Sequence, residues 1–185
     1  MEFEKHENDF LNNNNKRFVQ YQHVFGACFI PCYDCIIKHN RIYEDNHNLP
    51  IVGEQNHPKC HCYYKKINTI AINAISKKGL NSPAVWLKLY GELPDYYITK
   101  DEARKHYGWD NSKNTLSGKA PGKMLGGDIY KNIPPILPTH EGRIWYECDV
   151  DYTGGKRNSL RLYYSNDGLM FYSDDHGKSN FYQVI

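Results

Sequence analysis

The clearest alternation of apolar and polar positions lies near the C-terminal end of the chain. Ile144, Tyr146, Cys148, Val150 and Tyr152 fall on alternate residues, interleaved with Arg143, Trp145, Glu147, Asp149 and Asp151. A period of two is the signature of a strand with one buried face. Thr153-Gly154-Gly155 then turns the chain, and Leu160, Leu162 and Tyr164 alternate with Ser159, Arg161 and Tyr163. Asn166-Asp167-Gly168 has the composition of a second hairpin turn. A third strand is predicted from Leu169 to Ser173, a loop from Asp174 to Ser179, and a fourth strand from Asn180 to Val184.

Upstream the period lengthens. Ser82-Pro83 places a capping residue before a proline at the first helical position. Val85, Trp86, Leu89 and Tyr90 supply an apolar stripe, and Gly91 ends the helix. Thr99-Lys100-Asp101-Glu102 is a capping box that opens a second helix, running to about Gly108. Ile67, Ile70, Ile72 and Ile75 recur near helical spacing before the stop signal Lys77-Lys78-Gly79, which predicts a connecting helix over 66–81. Residues 118–140 are rich in Gly and Pro and read as loops with one short strand. Helices followed by an antiparallel meander describe an α+β fold, with the helices packed on the sheet. Four regions follow: a polar mobile segment at 1–20 containing Asn12 to Asn15, a loop-rich Cys/His module at 21–65, the connecting helix, and a folded domain at 82–185.

Composition narrows the class. The chain has 185 residues, enough for one domain or two small ones. Aromatic residues make up 14%, too many for a chain that cannot bury a core. No stretch approaches the ~18 apolar residues of a membrane span. The start, MEFEKHENDF, lacks the basic and apolar regions of a secretory signal. The protein is therefore expected to stay inside, to leave by another route, or to be a piece of a longer chain. Net charge is +2, which does not by itself argue for nucleic acid. Residues 1–80 carry ten basic and eight acidic side chains, leaving thirteen of each beyond them. An anion site in the C-terminal half must therefore be a local cluster.

The polar face of the meander offers such a cluster. A hairpin centred on Gly154 sets Glu147 opposite Arg161, with Cβ atoms roughly 5 Å apart. Arg157 lies near the turn, and His176 lies in the loop before the last strand. One carboxylate, two guanidiniums and an imidazole can converge there. Taken alone, a cross-strand Glu–Arg pair is most often a surface ion pair of little consequence.

Four strings carry a resemblance: LPDYYITKDEA from Leu93, GW at Gly108, APGKMLGGDIY from Ala120, and GRIWYECDVDYTGGKRNSLRLYYSNDGLMFYSDDH from Gly142 to His176. In this order they resemble the barnase-type microbial ribonucleases, over roughly Ser82 to Ile185. The resemblance implies a metal-independent endoribonuclease that cleaves single-stranded RNA to a 2′,3′-cyclic phosphate. It places the general base on Glu147, the general acid on His176, phosphate-binding cations on Arg161, Arg157 and Lys100, and an acidic scaffold on Asp149, paired with Arg157. Arg161 opposite Glu147 would keep that carboxylate ionised. Lys100, on the first turn of its helix, would add backbone N–H groups to the anion site. DNA lacks the 2′-hydroxyl and should be bound but not cut. Base contacts fall on Tyr130, Lys131 and Asn132. The chain departs from the family at Pro134, where the guanine-binding carboxylate belongs, at Ile133, usually Arg, and at Gly177, often aromatic. Guanine preference should therefore be weakened.

Cys32-Tyr33-Asp34-Cys35 and His57-Pro58-Lys59-Cys60-His61-Cys62 offer metal ligands at knuckle-like spacing. The candidate set is Cys32, Cys35, Cys60 and Cys62, with His57 as an alternative ligand. Structural zinc, disulfides and free thiols all remain open readings. The segment resembles the C-terminal motif of phage Mu F-like head morphogenesis proteins, which implies a small module ahead of a toxin domain. Catalysis itself needs no cofactor in this reading. The resemblances together imply the toxic end of a bacterial polymorphic toxin, with RNA as substrate and an acidic barstar-like immunity protein as partner. The competing reading is a non-enzymatic phage-head-related or RNA-binding protein on an inert ribonuclease fold. The intact set Glu147, His176, Arg157 and Arg161 argues against it.

Overall fold

The computed structural model describes the backbone of residues 21–24 and all atoms of residues 41–43 and 62–185. The expected mobile segment at 1–20 lies outside these residues, as do Cys32, Cys35, His57 and Cys60. Two compact units divide the chain: one takes residues up to Ile67 together with Ile133–Pro138, the other takes Asn68–Asn132 and Thr139–Ile185.

In the first unit, β1 (Tyr21–Val24) pairs antiparallel with both β2 (Ile42–Tyr43) and β3 (Tyr63–Lys66). The Ile42 N–H donates to the Ile136 carbonyl at 2.6 Å. Ile42, Cys62, Ile67 and Leu137 are buried. The side chains of Tyr43 and Tyr64 meet edge to face at 5.5 Å.

The second unit is built on a seven-stranded sheet. Its strands are β4 (Thr69–Ile70), β5 (Tyr97–Ile98), β6 (Met124–Tyr130), β7 (Trp145–Asp149), β8 (Arg161–Ser165), β9 (Met170–Ser173) and β10 (Tyr182–Val184), in the order β4-β10-β9-β8-β7-β6-β5. Strands β7 to β10 form the predicted antiparallel meander, β6 extends it antiparallel beyond β7, and β5 and β4 add short parallel edges. Three helices accompany it: α1 (Pro83–Tyr90), α2 (Lys100–Tyr107) and α3 (Leu116–Lys119). The expected α+β plan is met.

Local chemistry explains the helices. The Ser82 hydroxyl accepts from the Val85 N–H, Pro83 occupies the first helical position, and Gly91 ends α1 at φ 76°. In α2 the Thr99 side chain accepts from the Glu102 N–H, while the Glu102 carboxylate reaches back to the Thr99 N–H at 2.7 Å. The N–H groups of Thr99 and Glu102 thus both find acceptors. Thr115 caps α3 in the same way, accepting from Gly118.

Three expectations need correction. Residues 66–81 are not a helix. They form β4, paired with β10, and two short 3-10 turns at Ile72–Ala74 and Gly79–Asn81. The isoleucine spacing arises because Ile70, Ile72 and Ile75 meet the core from a strand and from turns. On α1 the inward residues are Ala84, Val85 and Leu87, whereas Leu89 and Tyr90 are exposed. Within 118–140, the strand is not short: β6 spans seven residues and lies second from the sheet edge.

One face of the sheet and the helices enclose the main core. Ala84, Ala103 and Leu116 from the helices meet Leu125, Cys148, Leu162, Met170 and Val184. The opposite face carries its own aromatic layer. Trp145 packs on Phe171 with ring centroids 5.9 Å apart, Tyr163 on Phe181 at 5.9 Å, and Tyr163 on Tyr130 at 4.6 Å. Both faces of the central strands are therefore largely buried. A strict polar-out alternation fails because Trp145, Tyr163 and Phe171 occupy what the pattern assigns to solvent.

Candidate active site

The second face holds the candidate residues. Strand β7 brings Glu147 and Asp149 to it, β8 brings Arg161 and Tyr163, and β9 brings Phe171 and Ser173. A bulge in β6 adds a further acid. Gly126 pairs with Cys148, but Asp128 pairs with Glu147, so Gly127 is the extra residue. Its φ of 89° suits glycine, and Gly126 is closed in by Cys148, Tyr97 and Leu93. The Gly-Gly pair thereby turns Asp128 toward the site.

Glu147 does not face Arg161. The register pairs Glu147 with Tyr163 and Asp149 with Arg161, a shift of two residues that keeps the face and changes the partner. The turn does not set this register. Residues 150–160 form a long loop in which Asn158 donates to the Val150 and Asp151 carbonyls at 2.8 and 3.2 Å. Asp151, at φ 49°, accepts from Ser76 Oγ at 2.7 Å and from the Lys77 N–H at 2.9 Å. The Cys148–Leu162 pair in the core and the cations around Asp149 fix the alignment instead.

The cation at Glu147 is Lys100, whose Nζ lies 2.5 Å from Oε1 and 4.0 Å from Asp128 Oδ2. The expected free N–H groups at the start of α2 are also corrected. The Lys100 N–H donates to Asp128 Oδ2 at 3.0 Å, so this helix start already holds a carboxylate. Asp128 thus anchors the backbone of Lys100 while the side chain reaches the base.

Asp149 is the buried hub, 1% exposed. Arg157 grips it at two points, Nε to Oδ2 at 2.8 Å and a terminal nitrogen to Oδ1 at 2.5 Å. Arg161 Nε lies 3.2 Å from Oδ1, and a second Arg161 nitrogen donates to the Leu160 carbonyl at 2.7 Å. Tyr97 donates to the Asp149 carbonyl at 2.6 Å. One carboxylate therefore aligns two guanidiniums. Burial opposes the charge of Arg157, but the bond and charge of Asp149 prevail and raise its pKa. Arg161 is pushed down, first by burial, against the pull of Asp149.

His176 stands exposed in the loop between β9 and β10, at φ 63°. Its N–H donates to the Ser159 carbonyl at 3.0 Å. A polar knot holds the loop around it. Asp175 accepts from Ser173 Oγ, from Ser179 Oγ, and from the N–H groups of Lys178, Ser179 and Asn180 at 2.7–3.1 Å. The Gly177 N–H donates to Ser173 Oγ at 2.8 Å. Partial burial, then Arg161, Arg157 and Lys178, lower the imidazole pKa.

A pocket of ≈ 330 Å³ opens beside these groups, with His176, Arg157, Arg161, Lys156, Asn111 and Trp109 in its wall and no carboxylate. A second, of ≈ 280 Å³, includes Tyr130, Lys131, Asn132, His140 and Trp145. Lys131 is exposed, Tyr130 half-buried, and Asn132 buried with φ 50°. The structure thus gathers Lys100, Glu147, Asp149, Arg157, Arg161 and His176 around one face, and sets Tyr130, Lys131 and Asn132 along a neighbouring pocket. Asp128, Tyr163 and Asp175 were missing from the sequence-derived set. Asp128 had a signal, the Gly-Gly before it; Tyr163 and Asp175 had none.

Comparison with known proteins matches this region. The family model for ribonuclease covers residues 88–184, just over half of the chain. The chain belongs to the ribonuclease family. The ribonuclease of Heyndrickxia coagulans is 46% identical over 93 residues, covering 50% of this chain and 84% of that protein. The ribonucleases of Bacillus intermedius and Bacillus pumilus show the same identity, and the match spans 57% of their length. The resemblance to the barnase-type family therefore holds. The matched residues include every group gathered at the face above. No group of three His, Cys, Asp or Glu side chains among the described residues is arranged to hold a metal ion. Of the Cys/His set only Cys62 is described, and it is buried. No helix among the described residues is long and apolar enough to cross a membrane.

Proposed function

We propose that this chain is an endoribonuclease that cleaves single-stranded RNA by transesterification without a metal ion. The observation that carries the reading is the convergence of Glu147, Lys100, Arg157, Arg161 and His176 on one face of the sheet. Glu147 takes the proton from a ribose 2′-hydroxyl. The 2′-oxygen attacks the adjacent phosphorus, the bond to the 5′-oxygen breaks, and His176 gives that oxygen its proton. The products are a 2′,3′-cyclic phosphate and a free 5′-hydroxyl. General base and general acid each contribute roughly 10²–10⁴-fold. Charge that builds on the non-bridging oxygens meets Arg157 and Arg161, already aligned by Asp149, so little reorganisation is needed in the transition state. DNA, without the 2′-hydroxyl, would bind to the same cations uncut.

The test is cleavage of an RNA oligonucleotide in excess EDTA, with product mapping. Cyclic-phosphate ends at an undiminished rate support the scheme. Loss of activity with the domain still folded would overturn it.

The wider setting is part of the same proposal. The ribonuclease region is read as the toxic end of a larger exported protein, restrained in its producer by an acidic inhibitor that covers Lys100, Arg157 and Arg161. Such charge pairing speeds association. Cys32, Cys35, Cys60 and Cys62, with His57 as an alternative ligand, are read as the site of one structural zinc ahead of it. Metal analysis of the full chain against Cys32→Ser tests that point.

A further inference from the structure

Tyr163 joins the two ends of the reaction. It is the register partner of Glu147 across β7 and β8 and is 1% exposed. Its ring is clamped between Tyr130 and Phe181. Its hydroxyl end lies against the residue that follows His176: a Cβ placed on Gly177 would sit 2.5 Å from Oη and 2.9 Å from Cζ. Gly177 also holds φ +69°, a conformation that L side chains rarely adopt. No side chain fits between them. The ring thus spans the floor from the strand of the candidate base to the turn of the candidate acid.

We propose that Tyr163 is a positioning residue whose length sets the separation of Glu147 and His176, with Gly177 as the surface against which its hydroxyl end is seated. The proposal rests on the ribonuclease reading above. It makes Tyr163 and Gly177 one unit: the bare backbone at 177 accommodates the tyrosine, and the tyrosine props the turn carrying His176. Tyr163 does not contact the reacting atoms; it acts through both groups that do. A misplacement of about 1 Å between such groups can lower the rate about 100-fold.

The experiment is a double-mutant cycle in the full chain, using Tyr163→Leu and Gly177→Ala. Tyr163→Leu shortens the prop. Its kcat should fall about 10- to 100-fold, with KM changed less than about threefold, as expected for geometry rather than binding. Gly177→Ala pushes the turn away and should fall similarly. The double variant should recover activity relative to Gly177→Ala alone, because the clash is gone. Multiplicative losses would overturn the proposal. Tyr163→Phe keeps the ring packing and guards against a folding artefact: unchanged circular dichroism with reduced kcat supports the role, and unchanged kcat in both Tyr163→Phe and Tyr163→Leu overturns it.

A readout without turnover separates this claim from the ribonuclease reading. The His176 imidazole pKa is held down first by partial burial, then by Arg161, Arg157 and Lys178, against the pull of Asp149. In Tyr163→Leu its NMR titration should move upward, as the turn leaves the arginines. An unmoved titration would overturn the positioning role even if the wild type cleaves RNA. A moved titration in a chain that cleaves nothing would leave Tyr163 as the prop of His176 and retire the ribonuclease reading.

Discussion

Lys100 Nζ lies 2.5 Å from Glu147 Oε1, while the backbone N–H of the same lysine is held by Asp128. The lysine is thus fixed at both ends, and Asp128, which holds its backbone N–H, also lies 4.0 Å from the ammonium. Lys100→Ala removes only the Nζ end, since Asp128 still accepts from the residue 100 N–H. We expect α2 to persist and kcat to fall about 10²- to 10³-fold, the size seen when one preplaced charge-stabilising donor is removed. Glu147→Ala and His176→Ala should each lose about 10²- to 10⁴-fold. Single-turnover cleavage with circular dichroism checks this, and a Glu147→Ala variant that cleaves at the wild-type rate would remove Glu147 from its role.

Asp149 and the two arginines form one buried unit. Asp149→Ala leaves Arg161, 3% exposed, and most of Arg157 with no carboxylate partner at that point. Breaking a buried pair from one side destabilises by about 3–5 kcal/mol. Urea denaturation should show a loss of this order together with weakened RNA binding. A loss under about 1 kcal/mol would mean that the guanidiniums reach water once released.

His176 gives the pH dependence a definite sign. Its folded pKa is lowered by burial and by Arg161, Arg157 and Lys178. An acid must carry its proton, so kcat/KM of the free protein should fall as pH rises through a midpoint below the ordinary value of about 6.5. Bound phosphate screens the arginines, so the same limb in kcat should lie at higher pH. Between the folded midpoint and about 6.5 the unfolded chain binds more protons, and stability should rise with pH across that window. A His176→Gln variant should lack this component. Coincident limbs for kcat and kcat/KM would contradict the electrostatic account.

Base preference is tested at Pro134. A site built on a carboxylate that accepts from a base edge rejects bases without those donors far better than an apolar site does. Pro134 supplies no carboxylate and no N–H. Cleavage of four dinucleotides differing only in the 5′ base should show a reduced guanine margin, and Pro134→Glu should widen it. An undiminished margin in the wild type would show that the backbone around Asn132 reads the base unaided.

The sequence by itself determined the capped helices, the hairpin strands and most of the polar residues on the candidate face. Ser82-Pro83, the Thr99–Glu102 capping box and Asn166-Asp167-Gly168 act through bonds between near neighbours, and each stands where the pattern predicts. Alternation along β7 and β8 also assigned Glu147, Asp149 and Arg161 to one face. Tertiary structure decided the partners. A two-residue shift preserves the face, because side chains alternate with period two, yet it exchanges the neighbour of Glu147. That register comes from core pairs such as Cys148 with Leu162 and from the cations around Asp149, contacts no local signal encodes. The same holds for Ile67 to Ile75, where helical spacing hides a strand completed only by the distant β10. Asp128 reaches the site through a bulge, and Tyr163 reaches Gly177 across the aromatic layer. Local hydrogen bonds can be read along a chain, whereas register and burial depend on what packs from the other side.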